Sequence, residues 1–235
     1  MSNMEGALRY APSLLISTDC SAKPYKAIKP LSLYNVFWMF VFGSFIGYVV
    51  ETLYCLAKTG IFENRSSMLF GPFNIIYGIG ALALYIGLHK ISNIPCVLLL
   101  GMVSGSVIEF IASWFQQTVF GSVSWDYSSL PLNIGGRISL LFALFWGVLA
   151  VLWVKCLQPL FERLILFTPK RIKKQITVCL IIFFVLNIAI SIIAVARWEA
   201  RLDGIPAANT LAVWIDGLFP DTFMEWVYAN MMHIK

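Results

Sequence analysis

The sequence predicts an all-α fold: a polytopic membrane helix bundle of about five spans. Hydrophobic residues make up 59% of the 235 positions and charged residues only 12%. Mean hydropathy is +0.80. Apolar windows of about 20 residues recur along the chain, each long enough for a helix to cross a hydrocarbon layer about 30 Å thick. A water-soluble domain cannot cover its surface with so few charges.

Residues 1–32 precede the first window and carry Arg9, Lys23, Lys26 and Lys29. A basic tail of this kind lies against anionic headgroups on the cytoplasmic side, and it lacks the apolar region and cleavage site of a signal peptide. The bundle then occupies 33–200, with spans at about 34–57, 73–88, 95–120, 138–157 and 176–196. The second is short if it starts at Phe73, and is therefore expected to begin before Pro72 or to sit tilted. Gly71-Pro72 stands just before it, and a proline stops a helix extending backwards through it, so a re-entrant bend is expected there. Asn187 and Ser191 fall in mid-span of the fifth and are expected to hydrogen-bond to other helices.

Residues 201–235 read as an outer interfacial segment of two short amphipathic helices. In the first, Leu211, Trp214, Ile215 and Leu218 share one face, with Asp216 opposite. In the second, Thr222 and Glu225 have capping-box spacing, and Phe223, Val227 and Met231 recur at steps of four.

Orientation follows from lysine and arginine, which accumulate on the cytoplasmic side. With the N-terminus inside, the inner segments hold 11 of them, including the cluster PKRIKK at 169–174, and the outer segments hold 6: Lys58, Arg65, Arg137, Arg197, Arg201 and Lys235. The expected localisation is therefore the bacterial cytoplasmic membrane, multi-pass, with the N-terminus inside and the C-terminus outside.

Two stretches repeat a pattern. GSFIGYVVE begins at Gly43 and GMVSGSVIE at Gly101, and each spells glycine, glycine and glutamate at steps of four. Such steps keep side chains on one helix face, where small residues let another backbone approach closely. Both spans run in the same direction, and each is followed by an outer loop and a returning span. The chain therefore reads as two pseudo-symmetric hairpins related by an axis along the membrane normal. On that reading the two stripes face one another and Glu51 approaches Glu109. A carboxylate within the membrane is costly and marks a functional site by default.

Arginines that break the positive-inside count are the expected partners of these glutamates, or else the donors of an anion site, because guanidinium matches carboxylate and phosphate bidentately. The candidate substrate-binding set is Glu51, Asn64, Arg65, Asn74, Tyr77, Glu109, Trp125, Asp126, Tyr127, Asn133, Arg137, Arg197 and Arg201. No catalytic residues, metal ligands or cofactors are expected. The five cysteines are scattered without a CxxC, and the two histidines fall on opposite sides of the membrane. No phosphate-binding loop, serine-hydrolase elbow or zinc-protease motif is present, so ATP hydrolysis would have to come from a partner.

The sequence resembles the bacterial integral membrane family described as putative ABC-transporter type IV (CmpB-like). The residues that carry the likeness are Glu51, Asn64, Arg65, Gly71, Pro72, Ile76, Tyr77, Gly78, Trp125, Asp126, Tyr127, Ser128, Asn133, Gly136, Arg137, Trp146 and Gly147, with FPDTFMEWVYANM at 219–231. It departs at Ser66, Ile75, Ser139 and Ala229, where the pattern has Gly, Pro, Cys and Pro. The likeness spans about 33–232 and implies transport.

Three functions fit these features. The first is a transporter or permease-like subunit with an outward-facing polar or anion site between the hairpins, coupled in trans to an ATPase subunit docking at the 158–175 loop. The second is an enzyme acting on lipid or lipid-linked substrates at the outer leaflet. The third is a noncatalytic assembly or sensor protein. Expected partners are membrane lipids, that ATPase subunit and further copies of the chain, and no nucleic acid.

Overall fold

A computed structural model describes residues 32–88, 91, 93–167 and 170–234. The basic tail lies outside what is described, as do Pro169 and the side chains of residues 170–173 in the PKRIKK cluster. Helix α1 (Leu33–Thr59) starts on the Ser32 hydroxyl, which accepts from Asn35 N, and stops at Gly60 in the left-handed conformation. It is followed by α2 (Ile75–Gly87), α3 (Ile94–Phe120) and α4 (Leu140–Leu152). A π-helical turn at Trp153–Leu157 joins α4 to α5 (Gln158–Phe167), and α6 (Lys170–Leu202), α7 (Thr210–Leu218) and α8 (Asp221–Val227) complete the helices.

Among the described residues, four stretches are long and apolar enough to cross a membrane: Leu33–Thr59, Ile94–Phe120, Leu140–Ile165 and Lys174–Leu202. The remaining expected span is α2, whose 13 residues make about 20 Å of helix at 1.5 Å per residue. It is short because the chain leaving α1 turns back into the bundle before α2 begins. Within that connection, Phe70 N donates to Asn187 Oδ1, Asn187 Nδ2 donates to the Phe70 carbonyl, and Leu69 N donates to Ser191 Oγ. Asn74 N donates to the Ser44 carbonyl halfway along α1. Asn187 and Ser191 thus hold re-entrant backbone and not, as expected, another helix.

Polar groups point in and apolar ones out. Ser44, Asn74, Glu109, Ser113, Asn187 and Ser191 are buried, whereas Val103 is 62% and Val185 61% exposed. Lipid accepts the second kind of surface, and the first must be satisfied inside. One apolar cluster joins Met39, Tyr85, Val97, Trp153 and Phe161 from α1, α2, α3, the π turn and α5. Of the segment expected as an inner loop at 158–175, residues 158–167 form α5, which packs on α1 with Phe161 stacked on Phe42 at 4.2 Å. A second cluster seats α7 and α8 on α6 through Trp198, Ile215, Phe219, Met224 and Val227.

The expected arrangement of these last helices needs correction. Ile215 is buried with Ala212, while Leu211, Trp214 and Leu218 face outward. Asp216 turns inward because Arg197 and Arg201 at the end of α6 demand an anion there. No capping box forms at α8, whose N-cap position is Pro220 with no side-chain bond. Two small antiparallel pairs finish the fold: β1 (Ser122–Val123) with β4 (Met232–His233), and β2 (Asn133–Ile134) with β3 (Ile138–Ser139).

Candidate functional site

Each glycine stripe packs on the returning helix of its own hairpin, so the two stripes do not face one another. A Cβ at Gly43 would overlap the Ala81 methyl and one at Gly47 the Tyr77 Cβ. In the second hairpin the same places are taken by Ala150 against Gly101 and Trp146 against Gly105. The backbone spacing repeats too: the built Cβ of Gly43 lies 3.1 Å from the Tyr77 carbonyl, and that of Gly101 lies 3.1 Å from the Trp146 carbonyl. The pairs α1–α2 and α3–α4 are thus two copies of one packing unit, with YGIGA (77–81) matching WGVLA (146–150).

The outer arginines repeat as well. Arg65 donates to Cys55 Sγ at 3.0 Å, and Arg137 donates to Ser113 Oγ at 3.1 Å. Cys55 stands four residues beyond Glu51 and Ser113 four beyond Glu109, so each arginine closes the same turn of its stripe. The loop that follows the first helix of each hairpin also contains a short turn in which a side-chain oxygen accepts from the backbone two residues on: Asn64 from Ser66 N, and Asp126 from Ser128 N.

Where the two copies meet, Tyr77 and Trp146 stack with ring centroids 5.2 Å apart. Glu51 and Glu109 emerge one helical turn further along their stripes. Asn74 Nδ2 donates to Glu51 Oε2 at 2.8 Å and to the Arg65 carbonyl at 3.2 Å, while its Oδ1 caps α2 by accepting from Ile76 N. Tyr127 hydroxyl donates to Glu109 Oε1 at 3.4 Å. Burial, then the neighbouring Glu109, push the Tyr127 phenol well above its ordinary pKa, so it remains a donor. Glu109 is 8% exposed, and its Oε2 is buried without a hydrogen-bond partner among the described residues.

These groups surround a cavity of about 540 Å3 at the junction of the hairpins, enclosed further by α6 and by the segment after α8. Of the residues singled out from sequence, Glu51, Arg65, Asn74, Tyr77, Glu109, Trp125 and Tyr127 line it. The other six are engaged elsewhere. Asn64 and Asp126 form their loop turns, and Ser128 holds the Asp126 carboxyl below its usual pKa. Asn133 ties the second loop together through the Leu130 carbonyl and Gly136 N. Arg137 is held by Ser113 and Gln117 and lies over the Phe110 ring.

Arg197 makes a two-pronged bond to Asp216, and Arg201 bridges Asp216 and Asp221. Arg197 foremost, then Arg201, hold the Asp216 carboxyl below its ordinary pKa. Among the described residues no arginine forms a direct ion pair with Glu51 or Glu109; of the expected partners, Arg65 acts on Glu51 only through space. Arg65 itself pairs with Glu63 at 2.7 Å.

Sequence reasoning left Tyr54, Phe142, Phe145 and Trp146 out of the site, yet all four line the cavity. Tyr127 stacks on Phe142 at 4.3 Å, and Tyr54 meets Phe145 edge-on at 6.3 Å across the hairpin boundary. Trp146 could have been found from the aromatic-Gly-x-x-Ala pattern that it shares with Tyr77. The others carry no local signal, because an aromatic residue in a span reads as lipid-facing until its neighbours are known.

No curated protein and no solved structure matches this chain. The apolar helices and inverted burial are those of a multi-pass membrane protein. A family model described as Putative ABC-transporter type IV matches residues 38–192, a range that holds both hairpins, both glutamates and the re-entrant segment. The cavity between the two hairpins is the candidate site, and the chain belongs to that family.

Proposed function

We propose that this chain is the membrane subunit of a transport complex whose solute occupies the cavity between the two hairpins. The observation that carries this reading is the meeting of two copies of one packing unit at a cavity into which each copy delivers an intramembrane carboxyl. Transporters built from repeats place their sites at the repeat interface, next to broken helices. Here the short α2 and its re-entrant approach supply such a break. The cavity opens to the outer side in this reading, with the N-terminus inside. Energy comes from an ATPase subunit in trans that docks on the inner face, where α5 and the start of α6 replace the expected loop.

The test is purification of the tagged full chain from its native membrane in mild detergent, with and without ATP and vanadate. A nucleotide-binding subunit should co-elute in fixed stoichiometry, and its ATP turnover should fall when Glu51→Gln or Glu109→Gln is introduced. Elution of the chain alone under every condition would overturn ATP coupling.

A further inference from the structure

We propose that the cavity takes an organic cation, an ammonium group carried on an apolar or aromatic body. The inference rests on the reading of this cavity as the solute site and adds the chemical class of the solute. Three independent features of the lining point to it.

The first is charge. Glu51 and Glu109 both line the cavity, and neither has an arginine, lysine or histidine within ion-pair distance among the described residues. The two cations in the lining make no hydrogen bond or ion pair with them, although Arg65 is near enough to act on Glu51 through space. Arg65 is matched by Glu63 and turned onto Cys55, and Lys58 stands exposed in the last turn of α1. A carboxylate out of water requires a cation or a full set of donors.

The second is vacancy of bonding capacity. Glu109 accepts side-chain hydrogen bonds from Tyr127 and Trp146, yet its Oε2 is buried and accepts from nothing described. Glu51 accepts from a single amide, that of Asn74. A carboxylate can accept about four hydrogen bonds. An ammonium between the two groups would draw on acceptors that the fold leaves open.

The third is the wall. Tyr54, Tyr77, Tyr127, Phe142, Phe145 and Trp146 all line the same space. Aromatic faces attract cations, more strongly when water is excluded, and several rings around carboxylates are the usual surroundings of an ammonium guest. An anion would meet the negative faces of those rings and two carboxyls. The volume of about 540 Å3 suits a molecule larger than a bare ion.

Benzyltrimethylammonium and benzenesulfonate, similar in size and opposite in charge, separate the alternatives. The purified full chain carries Cys20→Ser, Cys96→Ser, Cys156→Ser and Cys179→Ser, leaving Cys55, which lines the cavity. The readouts are tryptophan fluorescence, since Trp125 and Trp146 line the same cavity, and protection of Cys55 from maleimide. The ammonium should bind saturably and protect Cys55, the sulfonate should do neither, and Glu51→Gln or Glu109→Gln should weaken ammonium binding at least about tenfold, or 1.4 kcal/mol. If the glutamine variants do not fold, the contrast between the two probes on the unsubstituted cavity decides alone.

Protection by the sulfonate equal to or greater than that by the ammonium would overturn the inference, as would no saturable ammonium effect. Unchanged affinity in both folded glutamine variants would also overturn it. Each of these results leaves a transport subunit standing. Conversely, absence of an ATPase partner would reject ATP coupling while leaving a cation site in place.

Discussion

Asn74 shows how much one side chain does at this site. It caps α2 through Ile76 N, holds the Arg65 carbonyl and donates to Glu51, all while 6% exposed. Asn74→Ala removes a helix cap worth about 1 kcal/mol and leaves Glu51 without its amide donor, a loss of similar size or larger. Thermal unfolding in detergent should show a destabilisation of about 2 kcal/mol. Asn74→Asp keeps a capping oxygen but sets a second acid where the 2.8 Å bond to Glu51 was, so its deficit should shrink when the pH is lowered and both acids can protonate. A deficit of the same size at every pH would show that the bond to Glu51 does not matter. The family departures are also legible at this scale. Ile75 N donates to Ser67 Oγ at 2.7 Å, a bond that proline could not make. The Ser66 hydroxyl reaches the carbonyls of Met68, Gly71 and Phe73, which glycine could not do. Ser139 caps α4 by accepting from Phe142 N.

At the scale of elements, close backbone contact is the rule that both hairpins obey. Gly47→Leu and Gly105→Leu would drive side chains into Tyr77 and Trp146, whereas nothing lies within 4 Å of a Cβ at Gly87. Overpacking costs about 1–3 kcal/mol or more, so the first two variants should lose clearly more thermal stability than Gly87→Leu. Equal losses at all three would remove the contact argument. The stripes themselves were readable in the sequence, because period and residue size are local. Their partners were not: the pattern predicts that some backbone comes close, and only the fold says that it is the hairpin's own second helix. The bend before α2 was readable from Gly71-Pro72, but what holds it, and that α2 starts only at Ile75, were not. Hydropathy scores a segment such as 62–74 as an outer loop, and cannot register that Asn187 and Ser191, more than 110 residues away, satisfy its backbone inside the bundle. The same blindness misplaced Asp216, whose apolar neighbours describe an amphipathic helix but whose orientation is decided by Arg197 and Arg201.

For the whole molecule, the exceptions to the positive-inside pattern acquire a cause. Arg65, Arg137, Arg197 and Arg201 each have described protein partners: Glu63 and Cys55, Ser113 and Gln117, Asp216, and Asp216 with Asp221. They tie outer loops and the last helices to the ends of the spans and are not free flanking charges. Setting them aside leaves Lys58 and Lys235 on the side proposed to be outer, and the orientation with the N-terminus inside is our proposal from this distribution. Single cysteines at Ser128 and Gln175, in a background without the native cysteines, test it. Both positions are exposed, so reaction with a membrane-impermeant thiol reagent reports the side of the membrane and not burial. On intact cells Ser128→Cys should be labelled and Gln175→Cys should not, with both labelled after permeabilisation. The reverse pattern would put the cavity's loops inside. The transport direction, the ATPase face and the origin of any cation reaching Glu51 and Glu109 would then all exchange sides, while the packing of the two hairpins would stand unchanged.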